Sequence, residues 1–217
     1  MIISEKKPFD EVLEYLKDCK KVIIAGCSLC ATVCKVGGED EALKLKEKLE
    51  EKGITVLGYK ILDPACNFLK TRKDLKSLKG ELADADAVVS IACGDGTQTI
   101  AKVCKIPVYP GNNTMFIGEV ERIGKFEEAC KACGSCQLAW TGGICPVTKC
   151  AKGLLNGACG GSRDGKCEVN PENDCAWIEI YKKLKEQGKL DNLLEVRDPR
   201  NFLLSAHPRK IDLKDNE

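Results

Sequence analysis

Residues 21–34 read KVIIAGCSLCATVC. The first six, Lys21 to Gly26, form a β-branched apolar run closed by glycine, the pattern of a strand covered on both faces of a parallel sheet. A charged helix is expected over residues 39–52, stopped by Gly53. The alternation then repeats outward. Residues 54–61 (ITVLGYKI) and 87–92 (AVVSIA) read as strands and residues 106–109 begin a fourth, while 70–79 and 97–104 read as helices. Before the first strand, Phe9, Val12, Leu13 and Leu16 recur at helical spacing over residues 8–17, with Pro8 in the first turn. Strands alternating with helices predict an α/β fold, a small doubly wound, mostly parallel sheet spanning residues 1–124.

On that scaffold five cysteines collect at one edge. Cys27, Cys30 and Cys34 follow the first strand in C-x2-C-x3-C spacing, Cys66 lies beyond the second, and Cys93 follows the third in the turn CGDG. Open α/β sheets bind ligands past the carboxyl ends of their strands. A thioredoxin-type pair at Cys27 and Cys30 would not need the other three. A G-x-G-x-x-G nucleotide loop is absent. The expectation is a metal site, a third 4Fe-4S cluster or a zinc ion, held by Cys27, Cys30, Cys34 and Cys93 with Cys66 as the alternate. Cys19 and Cys104 read as ordinary buried thiols.

Residues 129–177, ACKACGSCQLAWTGGICPVTKCAKGLLNGACGGSRDGKCEVNPENDCAW, carry eight more cysteines: Cys130, Cys133, Cys136, Cys145, Cys150, Cys159, Cys167 and Cys175. Eight thiolates are the ligand set of two 4Fe-4S clusters, and the opening C-x2-C-x2-C hook is a common cluster grip. The expected partition joins Cys130, Cys133 and Cys136 with Cys175, leaving Cys145, Cys150, Cys159 and Cys167 for the second cluster. Zinc at one site stays open, although zinc ribbons usually offer two C-x2-C hooks. Residues 125–217 are therefore expected to be a cysteine-rich, loop-dominated iron–sulfur domain. It ends in a helix after Asp174, with Trp177, Ile178, Tyr181 and Leu184 on one face, and a polar tail, 197–217, holding an exposed His207. Residues 111–126 read as the link between the domains.

Composition bounds the function. With 34 basic and 33 acidic residues there is no basic excess for nucleic acid, and aromatics to stack bases make up only 5%. No apolar run reaches the length of a membrane span. Fifteen cysteines cannot all pair, and the first 21 residues carry charges where a signal peptide's apolar core would stand. A reducing, cytoplasmic setting is expected. No nucleophile–base pair, carboxylate dyad or phosphate loop is present, so the residues point to electron transfer rather than to catalysis by this chain.

The segment from Gly118 through the cysteine-rich stretch resembles the methylenetetrahydrofolate reductase C-terminal domain family. Its most specific part runs from Cys145-Pro146 through Lys152-Gly153-Leu154-Leu155-Asn156-Gly157 to Cys159-Gly160-Gly161. AGCSLCATVC with Gly37-Gly38-Glu39, and ACGDGTQT, resemble the companion half of small iron–sulfur subunits of two-subunit reductases in anaerobes. The resemblance implies a partner, the flavin-containing methylenetetrahydrofolate reductase catalytic subunit, to whose flavin electrons pass. Upstream, a ferredoxin, a heterodisulfide-reductase-like complex or a hydrogenase would serve as donor. Two other readings stay open: a metal-folded structural adapter, and a reductive activator of a corrinoid protein.

Overall fold

A computed structural model describes residues 1–212 and divides the chain into two compact units, Met1–Glu127 and Glu128–Glu217. The last five residues of the expected polar tail lie outside the described residues.

The first unit begins with β1 (Ile2–Lys6) and α1 (Phe9–Tyr15), then β2 (Lys21–Cys27), α2 (Cys30–Val33), α3 (Glu39–Glu51) and β3 (Thr55–Leu62). It continues through α4 (Phe68–Asp74), a 3-10 turn (Leu75–Leu78), α5 (Lys79–Asp84), β4 (Ala87–Ser90), α6 (Gly94–Val103), β5 (Val108–Pro110) and β6 (Asn112–Arg122). Four strands form the expected parallel sheet in the order β3-β2-β4-β5. The alternation of side chains along β2 explains why it is apolar throughout. Ile23 and Ala25 enter a core beneath Leu75 and Ile100, whereas Val22 and Ile24 enter the opposite core with Val12, Leu16 and Leu49. Each helix layer is thereby sealed onto one face of the sheet.

Two glycines let the loop after β2 turn back across the sheet edge. A Cβ on Gly37 would stand 2.0 Å from the Ile91 carbonyl oxygen, and one on Gly26 would stand 2.5 Å from the Gly37 carbonyl oxygen. Backbone packs on backbone there, and only hydrogen fits. The loop then enters α3, where the Glu41 carboxylate accepts from the Gly38 N–H at 3.1 Å.

A second sheet, in the order β1-β6-β7, differs from the expectation of a plain link over residues 111–126. β6 pairs antiparallel with β1, and β7 (Lys125–Cys130) follows a two-residue turn at Ile123-Gly124, with Gly124 at φ 81°. Buried Asn112, at the start of β6, ties this strand to the parallel sheet: its Nδ2 donates to the Ile91 carbonyl at 2.6 Å and to the Val36 carbonyl at 3.3 Å.

In the second unit regular structure is sparse: α7 (Pro146–Lys149) and α8 (Ala176–Glu186) stand among loops and two 3-10 turns, Leu190–Leu194 and Phe202–Ser205. α8 buries Ala176, Trp177, Ile180 and Leu184, so Ile180 takes the place expected for Tyr181, which is about half exposed. Their small core includes Cys175 and borders Cys150, so thiols are part of the packing. His207 is exposed. Among the described residues no helix is long and apolar enough to cross a membrane.

Candidate functional site

The eight cysteines of the second unit divide into two foursomes, each lining one space. Cys130, Cys133, Cys136 and Cys145 line a cavity of about 230 Å³ with Leu138 and Val147. β7 delivers Cys130 at its end, and the chain then curls through Ala132 at φ 48° and Gly134 at φ 82°. The curl aims the Ala132 N–H at the Cys130 sulfur, 3.3 Å away. Cys145 arrives from the far side as the residue capping α7, its thiol 3.5 Å from Thr148 Oγ1. Over this loop lies the tail: Leu204 packs on Gly134, and the Arg209 guanidinium donates to the Ala132 and Leu204 carbonyls at 2.8 and 3.0 Å.

Cys150, Cys159, Cys167 and Cys175 line a second, tighter space of about 20 Å³. A short bridge ladder, Arg163 to Lys166 to Asp174, folds the intervening loop, and the Cys167 N–H donates to the Asn173 carbonyl at 2.9 Å. Cys175 caps α8, and Trp177, two residues on in its first turn, also lines the space. The Cys159 sulfur accepts from the Gly161 N–H at 3.4 Å, and its thiol reaches Glu168 Oε1, also at 3.4 Å. Lys152 closes an ion pair with Glu168, and this pairing, with the Cys159 contact next, holds the Glu168 carboxyl below its usual range. The structure thus groups Cys145 with the triplet and Cys175 with the second set, the reverse of the exchange expected from spacing.

At the edge of the parallel sheet the thiols also regroup. Cys27 ends β2 and is buried; Cys93 caps α6, with the Asp95 and Gly96 N–H groups directed at its sulfur. Burial pushes the Cys93 thiol up, with Asp95 and Cys27 adding to the effect. Burial likewise raises Cys66, followed by Asp95, Cys93 and Cys27. Cys27, Cys66 and Cys93 thus lie within electrostatic reach of one another and of Asp95. Cys30 and Cys34 stand one turn apart on and after α2, and Cys34 turns its thiol to the Ile2 carbonyl of β1 at 3.8 Å. Cys66, expected only as the alternate, is one of these three. Cys19 and Cys104 pack against the two cores.

These donor sets suit soft metal centres. Four thiols around one cavity, with backbone N–H groups aimed at sulfur, match what holds and tunes an iron–sulfur cluster. Among the described residues no three Cys, His, Asp or Glu side chains converge closely enough to grip a single ion as they stand. Each foursome lines one common space.

Sequence spacing carried the membership of these sets but not their partition. Residues 109–203, which include the whole cysteine-rich stretch, match the model of the family described as methylene-tetrahydrofolate reductase C terminal. No match was found among curated proteins or among solved structures.

Proposed function

We propose that this chain is an electron-transfer subunit of a methylenetetrahydrofolate reductase, passing electrons to the flavin of a separate catalytic subunit. The observation that carries the reading is the pair of cysteine foursomes lining two spaces in a stretch that matches the methylene-tetrahydrofolate reductase C-terminal family model. Cys130, Cys133, Cys136 and Cys145 would hold one 4Fe-4S cluster, and Cys150, Cys159, Cys167 and Cys175 the other. When bound, such clusters supply one-electron steps at low reorganisation. The chain's own contribution is to bind and shield. Leu138 and Val147 keep the first space apolar, Trp177 walls the second, and the N–H groups of Ala132 and Gly161 stabilise charge on Cys130 and Cys159. The trio Cys27, Cys66 and Cys93 is the proposed third metal site, for a cluster or zinc.

A structural-adapter reading draws on one feature. The second space is closed to about 20 Å³, the scale of a single ion rather than a cube. Stepwise reductive titration of the anaerobically purified chain, followed by electron paramagnetic resonance, separates the two. Two fast-relaxing S = 1/2 signals support electron transfer. A protein holding only zinc and silent at every potential overturns it.

A further inference from the structure

On the face of the parallel sheet covered by α4, α5 and α6, an open groove of about 480 Å³ runs between the α4–α5 stretch and the end of α6. Its floor is apolar: Leu75 is buried, while Leu82, Val103, Cys104 and Ile106 are half-buried and form the outer layer of the core beneath. Its rim holds four exposed cations, Arg72, Lys76, Lys79 and Lys105, and no carboxylate lines it. Glu81 and Asp84, on the same helix as Lys79, are not among the lining residues.

In a chain with 34 basic and 33 acidic residues this is a local imbalance. None of the four cations forms an ion pair with a described residue. Arg72, Lys76 and Lys79 follow one another at spacings of four and three along a continuous helical run. Like charges at such spacing repel one another. Four unpaired cations around an apolar floor form a surface complementary to a ligand that is acidic at its margins and apolar along one face.

We propose that this groove docks an acidic amphipathic helix of a partner protein. Such a helix would lay apolar residues at i, i+3 and i+4 spacing on Leu82, Val103 and Ile106 and present Asp and Glu side chains to Arg72, Lys76, Lys79 and Lys105. The cations set orientation and speed encounter, and the floor supplies desolvated contact. A nucleic acid strand is the poorer fit, because no aromatic side chain lines the groove to stack a base.

The test uses the full chain and a synthetic amphipathic helix of about five turns, Leu on one face and Glu on the other, with binding followed by fluorescence anisotropy. The triple variant K76E/K79E/K105E should weaken binding at least tenfold, whereas K17E/K44E/K52E, which reverses three exposed lysines elsewhere, should change it less than twofold. Carbodiimide should cross-link the peptide's carboxylates to Lys76, Lys79 or Lys105. Four results would overturn the proposal: equal weakening by both triple variants, cross-links confined to other lysines, undiminished binding of a peptide whose leucines are replaced by serine, or displacement by duplex RNA at equal charge. Either of the last two would reduce the groove to a general polyanion sink.

Discussion

Trp177 donates its indole N–H to the Leu154 carbonyl at 3.1 Å, so the first turn of α8 is fastened to the loop between Cys150 and Cys159. The ring is buried and also walls the second thiol space. Two distinct losses follow. Trp177→Phe keeps most of the ring and removes one hydrogen bond, worth about 1 kcal/mol. Trp177→Ala opens a cavity and should cost about 3–5 kcal/mol of the module's stability. Amide exchange at residues 154–157 should speed up modestly in the first variant and strongly in the second. Equal exchange in both would remove the ring from the packing account.

The thiol partition is open to iron counting. Cys133→Ala and Cys145→Ala should each remove about half of the module's iron, and the double variant should lose no more than either alone, because one site is already lost. Combining Cys133→Ala with Cys175→Ala should empty both. If that pair lost only half while Cys133→Ala with Cys145→Ala lost everything, Cys175 would belong with the triplet, as spacing alone suggests.

Glycine to alanine gives opposite signs at two positions of the first unit. At Gly37 the new methyl would meet the Ile91 carbonyl oxygen at 2.0 Å and Ala31 Cβ at 2.7 Å. Overpacking against backbone should cost about 3 kcal/mol or more. At Gly80, within α5, nothing lies within 4 Å, and alanine should add about 0.5–1 kcal/mol through helix propensity. Urea midpoints of the two variants should move in opposite directions. A stabilised Gly37→Ala would mean that the loop after β2 is free to shift.

Asp86 accepts from the backbone N–H groups of Lys20 and Lys21 at 2.7 and 2.8 Å, and the Lys21 bond, then that of Lys20, holds its carboxyl below the usual value of 3.8. A folded-state value below the unfolded one means that the ionised carboxylate stabilises the fold. The contribution is complete above the unfolded value and is lost as pH falls through the folded one. The stability difference between the native chain and Asp86→Asn should therefore be constant above about pH 5 and shrink progressively as pH falls through and below the usual value of 3.8. A difference that stays level to the lowest pH at which the chain remains folded would detach Asp86 from the acid response.

The parallel sheet was legible because its strands are buried on both faces and so read as unbroken apolar runs; Val22 to Ala25 is the clearest case. The antiparallel sheet escaped because β6 has one exposed side, and its alternation over NNTMFIGEVER is diluted by polar residues. A hairpin signal was present at Ile123-Gly124 without the Asn or Asp that usually precedes such a glycine. Ile180 was missed for Tyr181 on α8 because the two are adjacent and the period alone does not settle which lies innermost. Cysteine membership in the site could be read from one dimension, whereas partners such as Cys66 with Cys93 are made neighbours only by the order β3-β2-β4.

The hold of Arg209 on Ala132 spans 77 residues. During synthesis the first thiol loop therefore leaves the ribosome well before the segment that covers it. At ordinary elongation rates the interval is about 4–15 s. In that window the turn at Ala132 and Gly134 stands without the cover that Arg209 and Leu204 later give it. The covering contacts of this loop can therefore form only after nearly the whole chain has been made.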